Sequence, residues 1–142
     1  VMAALIIATG SQAMGVDTHL FFTFWATPLL RAKKPAGPKD FLSRMFGAML
    51  PKGAEQATLS KLHVGGLGTA MMKQVMKKKG VSSLPELLAL AGELGVGLTI
   101  CELSMGVMGF TPEEMIDYPG LRYGGVATFV AEASTSKIQL FI

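Results

Sequence analysis

Apolar positions recur with two different spacings along this chain, and these spacings predict helices that alternate with buried strands. Residues 1–15 form an Ala-rich apolar run that predicts a helix ending at Gly15. Residues 17–25 and 98–101 are apolar runs without regular alternation, as expected for strands covered on both faces, and residues 137–142 predict a last strand. The sequence therefore predicts an α/β fold, a doubly wound and mostly parallel sheet with helices on both faces.

Capping and turn signals locate the other helices. Ser83-Leu84-Pro85-Glu86 is a capping box that begins a helix predicted to reach about Leu94, and Thr111-Pro112-Glu113-Glu114 begins a short helix predicted to end at Asp117. Thr27 and Pro28 suit the first residues of another short helix. Further helices are predicted from about Lys39, over residues 69–79 behind a turn at Gly65, Gly66 and Gly68, over 104–108, and from Gly124 or Gly125 to about Ala133. A buried helix at the start of a chain is unusual, so we also expect a strand before Val1.

Length and composition narrow the class of protein. The 142 residues suit a single α/β domain over residues 1–142. Half of the residues are hydrophobic and 16% are charged, against roughly 25% in an average globular protein, so part of the apolar surface is expected to contact another subunit or a partner. No apolar run reaches the roughly 18 residues of a membrane-spanning helix. With one cysteine and no signal-peptide pattern, the protein is expected in the cytoplasm.

Charge and apolar surface are unevenly distributed. Between Arg31 and Lys79 eleven basic residues oppose two acidic ones, whereas from Gly80 onward two basic residues oppose seven acidic ones. The basic segment can attract an anionic partner or a membrane surface, but a solvated helix face explains it more simply. The stretch from Phe41 to Leu50 carries apolar residues at i, i+4 and i+8, which fits either a docking surface or ordinary core and subunit contacts.

The single cysteine, Cys101, lies where the strand at 98–101 gives way to a helix. Ligands collect at the carboxyl ends of parallel strands, and the free N–H groups of a following helix stabilise a thiolate. We expect the N–H groups from Leu103 to Met105 and the Ser104 hydroxyl to stabilise the thiolate or persulfide form of Cys101. Glu102 adds a carboxylate next to the thiol, which by itself would raise the thiol pKa unless its side chain points away.

Missing residues exclude several reactions of a lone thiol. A cysteine phosphatase needs an Arg where this chain has Val107, and a dithiol oxidoreductase needs a second cysteine. Neither His19 nor His63 neighbours Cys101 in sequence, and His19 suits a hydrogen-bonded structural role. The sequence has no metal-ligand spacing and no complete nucleotide-binding motif, so no cofactor, metal or nucleic acid is predicted. Two interpretations of Cys101 remain. It takes part in a sulfur relay, or it is an inert buried cysteine, which fits the composition equally well.

Segments across most of the chain resemble the DsrE/DsrF-like family of sulfur-carrier proteins, in the branch described as peroxiredoxin-like. The matching segments are Ala8-Thr9-Gly10 with Gly15, Phe21-Phe22-Thr23-Phe24-Trp25, Gly66-Leu67-Gly68-Thr69 with Met71 and Met72, Gly95-Val96, Cys101 with Ser104-Met105 and Met108-Gly109, and Gly124-Gly125-Val126-Ala127-Thr128-Phe129. The resemblance implies a flavodoxin-like fold with an additional first strand, a homo-oligomer, and sulfane sulfur carried on Cys101 as a persulfide or thiosulfonate. It also implies TusA-type sulfur carriers and rhodanese-like donor proteins as partners.

Two functions follow from these observations. The first is a sulfur relay, which requires that the Cys101 thiol be ionised and reachable at neutral pH. The second is a scaffold or membrane-peripheral docking module that uses the Phe41–Leu50 stripe and the basic central segment, with weak peripheral membrane contact. The two functions are compatible, because a carrier must dock a partner in order to pass on its sulfur.

Overall fold

A computed structural model of the protein describes residues 1–32, 34, 39–56 and 67–142. Within these residues three parallel strands form one sheet in the order β1-β2-β3, in which His19 lies opposite Gly97 and Cys101 lies opposite Gly124. The strands and helices have the following bounds: α1 Met2–Ala13, β1 His19–Phe22, α2 Phe41–Met49, α3 Leu67–Lys78, α4 Leu84–Glu93, β2 Gly97–Cys101, α5 Glu102–Met108, β3 Arg122–Gly124 and α6 Val126–Thr135. This is the mixed α/β architecture with a parallel sheet that the sequence predicts.

The apolar face of the sheet packs on α1 and α4. Side chains alternate along a strand, so Leu20 and Phe22 of β1 share a face with Leu98 and Ile100 of β2. This face joins the core formed with buried residues of the two helices, namely Leu5, Ala8, Leu84, Leu87, Leu88 and Ala91. The predicted capping box starts α4, because the Ser83 amide donates to the Glu86 carboxylate at 2.7 Å.

The opposite face of the sheet meets α6 and is partly polar. His19 Nε2 lies 2.8 Å from Thr99 Oγ1, and Glu132 of α6 lies 3.3 Å from His19 and 2.7 Å from Arg122. Burial, with a smaller contribution from Arg122, lowers the pKa of His19 despite the nearby Glu132 carboxylate. The sequence interpretation of His19 as a hydrogen-bonded structural residue agrees with these contacts.

A buried ion cluster lies beyond the far end of α5. The Arg31 guanidinium is 3.2 Å from the Glu114 carboxylate and 4.4 Å above the Phe110 ring, and Lys39 pairs with the same carboxylate. Arg31 also donates to the Gly47 carbonyl of α2 at 3.1 Å. Burial alone would raise the pKa of the Glu114 carboxyl, but hydrogen bonds and charge from Lys39, with bonds from neighbouring groups, lower it. Two of the basic residues assigned to a solvated segment are therefore structural.

Two sequence predictions of secondary structure are wrong, and one strand was not predicted. The strand predicted over 17–25 ends at Phe22, and residues Phe24–Leu30 form a 3₁₀ helix that contains Thr27 and Pro28 instead of starting there. The short strand β3 was not predicted, because three residues are too few for a periodic signal, and α6 begins at Val126 after it. Residues 137–142 are not a strand but an exposed, irregular segment, because apolar composition alone supplies no neighbouring strand to pair with. Gly65 and Gly66 of the predicted glycine turn, and His63, lie outside the described residues. Gly68, predicted in the same turn, lies in α3 instead.

Candidate functional site

Cys101 is the last residue of β2 and the residue immediately before α5. The apolar, β-branched run that precedes it forms a central strand. α5 is capped by Gly109, which has a left-handed backbone (φ +66°) and whose missing Cβ leaves room for Ser43 of α2. β1 and β3 run parallel on either side of β2, so the residues that follow all three strands meet at one edge. The thiol therefore lies at the carboxyl edge of the sheet, as the sequence predicts.

The sulfur atom is surrounded by hydroxyl and amide groups from two segments. Ser104 Oγ is fully buried, lies 2.8 Å from Thr23 Oγ1, and accepts the Phe24 N–H at 2.9 Å. Burial by itself raises the pKa of the Cys101 thiol, but hydrogen bonds from the Ser104 hydroxyl and amide, the Thr23 hydroxyl and the Leu103 amide lower it below the ordinary value. These bonds favour the thiolate form.

The thiol is covered. Cys101 is 3% exposed, while Glu102 and Leu103 directly after it and Phe24 beside it are exposed to solvent. The sulfur is thus buried among the residues that bond to it, namely Thr23 after β1 and the first residues of α5. The sulfur relay predicted from the sequence requires a thiol that a reactant can reach. In this conformation the thiol is buried, so a reaction at sulfur requires the covering residues to move. The Glu102 side chain lies in solvent.

The structure brings together only part of the predicted site. The Leu103 amide and the Ser104 amide and hydroxyl lie within hydrogen-bonding reach of the sulfur, and the Met105 side chain packs in the hydrophobic core. Thr23 and Phe24 were not predicted as site residues. Their signal was available, because a hydroxyl residue directly after one parallel strand lies at the same sheet edge as the residues that follow another. Sequence alone did not tell which strands are neighbours.

The described part of the chain contains neither a candidate metal site nor a candidate membrane-spanning helix. No group of three or more His, Cys, Asp or Glu side chains there is arranged to hold a metal ion. Among the same residues, no helix combines the length and the apolar character needed to cross a bilayer.

Comparisons with known proteins find one family and two relatives that this chain resembles along nearly its whole length. The model of the DsrE/DsrF/DrsH-like family matches residues 1–141. An uncharacterised protein of Bacillus subtilis, YrkE, is 42% identical over 143 residues, which cover 99% of this chain and 88% of the relative. The sulfur carrier protein DsrE2 of Allochromatium vinosum is 36% identical over 141 residues, which cover 96% of this chain and 86% of the relative.

Proposed function

We propose a sulfur-relay function on two grounds: the chain belongs to the DsrE/DsrF/DrsH-like family, and its one cysteine lies among groups that stabilise a thiolate. The second ground carries the proposal, because a relay needs a single ionised thiol and no other reactive side chain. Cys101 is the residue that carries the sulfur. The similarity to a protein named as a sulfur carrier supports the same role.

The relay consists of two exchange steps without net oxidation. The Cys101 thiolate attacks the outer sulfur of a donor persulfide, a new S–S bond to Sγ forms, and the donor's own S–S bond breaks to release a thiolate. The thiolate of an acceptor then attacks the outer sulfur on Cys101, and Sγ leaves as a thiolate. Sulfane sulfur moves between thiols, and each step needs Sγ as an anion.

The groups around Sγ match this requirement. The hydroxyls of Thr23 and Ser104 and the amides of Leu103 and Ser104 stabilise negative charge on sulfur at the start and the end of the cycle. We include Met105 in the site only as a residue of the α5 backbone, because its side chain packs in the core.

The partners of the relay are proposed from the family resemblance. A rhodanese-like protein is the donor and a TusA-type carrier is the acceptor, within one α/β domain that works in the cytoplasm without a cofactor. We further propose a homo-oligomer, which the exposed apolar side chains Val126 and Val130 of α6 and Ile6 and Ile7 of α1 support. Sedimentation velocity tests this assembly, and a monomer across the whole concentration range would contradict it.

Exposed apolar residues on α2 favour docking as a second function. Phe41, Met45 and Met49 follow one another at four-residue spacing, and all three are exposed. Such a stripe fits a partner or an anionic lipid surface. Flotation with anionic liposomes at low and high salt tests the lipid case. The variant Met45→Ser/Met49→Ser should lose salt-sensitive binding to the liposomes. Cys101→Ser, and Met71→Ser at an exposed position of α3, should retain it. Failure of the unsubstituted protein to float with the liposomes would reject lipid docking.

Persulfide loading tests the relay. The protein is incubated with inorganic polysulfide, freed of excess reagent, and its intact mass is measured. We expect additions of roughly 32 Da, the mass of one sulfur atom, that dithiothreitol removes and that Cys101→Ser abolishes. The absence of these additions, or their persistence in Cys101→Ser, would reject Cys101 as the carrier.

A further inference from the structure

The residue that follows Thr23 has an unusual backbone. Phe24 has a φ of +41°, and in the described part of the chain the other residues with positive φ are glycines. This left-handed region is unfavourable for a bulky L-residue. Strained residues of this kind persist only where surrounding contacts hold them, and they concentrate at functional sites.

The contacts that hold Phe24 belong to the site around Cys101. Its N–H donates to Ser104 Oγ at 2.9 Å, and the preceding residue, Thr23, has an extended backbone and brings its hydroxyl 2.8 Å from the same oxygen. The Thr23 carbonyl accepts the Ala26 N–H at 3.1 Å, which closes the turn. The strained conformation therefore directs both Thr23 and Phe24 toward Ser104.

The Phe24 N–H determines which hydroxyl hydrogen remains for the sulfur of Cys101. Each hydroxyl carries one hydrogen, and the contact between Thr23 and Ser104 uses one of the two. The Phe24 N–H can only donate, so it occupies an acceptor position on Ser104 Oγ and turns the hydroxyl hydrogen of Ser104 elsewhere. One hydroxyl hydrogen of the pair is then left to point at Sγ.

We propose that Phe24 is a positioning residue for Cys101, whose strained backbone orients the Thr23–Ser104 hydroxyl pair so that its remaining hydrogen points at Sγ, and holds the turn that covers the sulfur. This inference rests on the proposed sulfur relay. If Phe24 relaxes to negative φ, its N–H leaves Ser104, Thr23 moves with it, and the sulfur loses hydrogen-bond donors and cover together. Ionisation and access of the thiol are thereby controlled by one residue.

Two substitutions separate the backbone from the side chain. Phe24→Gly and Phe24→Ala remove the same ring, but only Ala retains the cost of the left-handed conformation. The rate of alkylation of Cys101 by iodoacetamide, measured against pH, gives two quantities. Its midpoint reports the pKa of the thiol, and its high-pH plateau reports access to the thiolate. Glu102, the charged residue next to Cys101, is unchanged in every variant.

We expect Phe24→Gly to keep the midpoint of the unsubstituted protein. Phe24→Ala should have a higher midpoint, and its plateau rate should exceed that of Phe24→Gly by about fivefold, the ratio that ~1 kcal/mol produces. Phe24→Asn, which tolerates positive φ, should behave like Phe24→Gly and replaces it if that variant does not fold. Equal midpoints and equal plateaus in the Ala and Gly variants would overturn the proposal.

The outcome is independent of persulfide loading. Loading of the unsubstituted protein at Cys101 together with indistinguishable Gly and Ala variants keeps the relay and rejects the role of Phe24. If the Gly and Ala variants differ as expected but the unsubstituted protein takes up no sulfur, the role of Phe24 in thiol ionisation stands and the relay is rejected.

Discussion

Replacing Ser104 by Ala tests the thiolate-stabilising contacts most sharply. Ser104 is fully buried, and its hydroxyl oxygen links Thr23, Phe24 and the sulfur of Cys101. The substitution removes a hydrogen bond to a charged group, worth about 1.5–3 kcal/mol, and one pKa unit corresponds to about 1.4 kcal/mol. We therefore expect the pKa of the Cys101 thiol to rise by about one to two units.

The same substitution should also change the free energy of unfolding. It leaves the Phe24 N–H without its acceptor, which costs about 1–3 kcal/mol, while the better helix propensity of Ala offsets about 0.5 kcal/mol. The assay is the pH dependence of Cys101 alkylation, with unfolding in urea as a parallel measurement. Below both midpoints the Ser104→Ala rate should be about tenfold lower for each unit of pKa increase, and the difference should vanish at high pH.

Ser134→Ala is the matched control for this prediction. Ser134 lies on α6, is exposed, and donates to the Ala131 carbonyl of its own helix. Its removal should leave both the alkylation midpoint and the thiol pKa unchanged. An unchanged midpoint in Ser104→Ala would refute the assignment of the hydroxyl pair as the source of thiolate stabilisation.

Three further predictions concern the scaffold. Glu114→Gln removes the carboxylate between the two buried cations and should lower the free energy of unfolding by about 3–5 kcal/mol in urea titrations. Glu113→Gln, at an exposed position whose carboxylate is hydrogen-bonded to Thr111, should have a much smaller effect. The pKa of Glu114 is lower in the folded than in the unfolded state. The difference in free energy of unfolding between the parent and Glu114→Gln should therefore be largest above the unfolded-state pKa and disappear as the pH falls through the folded-state pKa. Equal stability of the two proteins at neutral pH would contradict the pairing. Gly97→Ala places a Cβ against the His19 ring and should cost about 1–3 kcal/mol, and a thermal melt unchanged from the parent would refute that contact. Gly106→Ala meets open space on α5 and should stabilise by about 0.5–1 kcal/mol; a lower melting temperature would contradict the open position.

The elements with strong local signals were predictable from the sequence. The capping box at Ser83 and Glu86 determines where α4 begins, and the apolar run before Cys101 forms the central strand with the thiol at its carboxyl end. Both depend on residues within one turn of each other, so the chain carries the information locally. The family resemblance came from the same kind of short segments.

What the sequence did not predict depends on long-range contacts. Thr23 and Phe24 reach Ser104 only because β1 pairs directly with β2, about eighty residues away, and no local pattern encodes that pairing. Arg31 was assigned to a solvated segment because its partner Glu114 is equally remote in sequence. The sequence left open whether Cys101 is covered, since burial depends on segments that are distant along the chain.

The movement of labelled sulfur through Cys101 tests the central claim most directly. The protein is loaded with polysulfide that contains heavy-isotope sulfur, freed of reagent, and chased with an unlabelled thiol acceptor, with both followed by mass spectrometry. A carrier should lose the label as the acceptor gains it, in equal amounts, and regain an unmodified Cys101 thiol. Label that stays on the protein through the chase, or that never binds to Cys101, would contradict the relay.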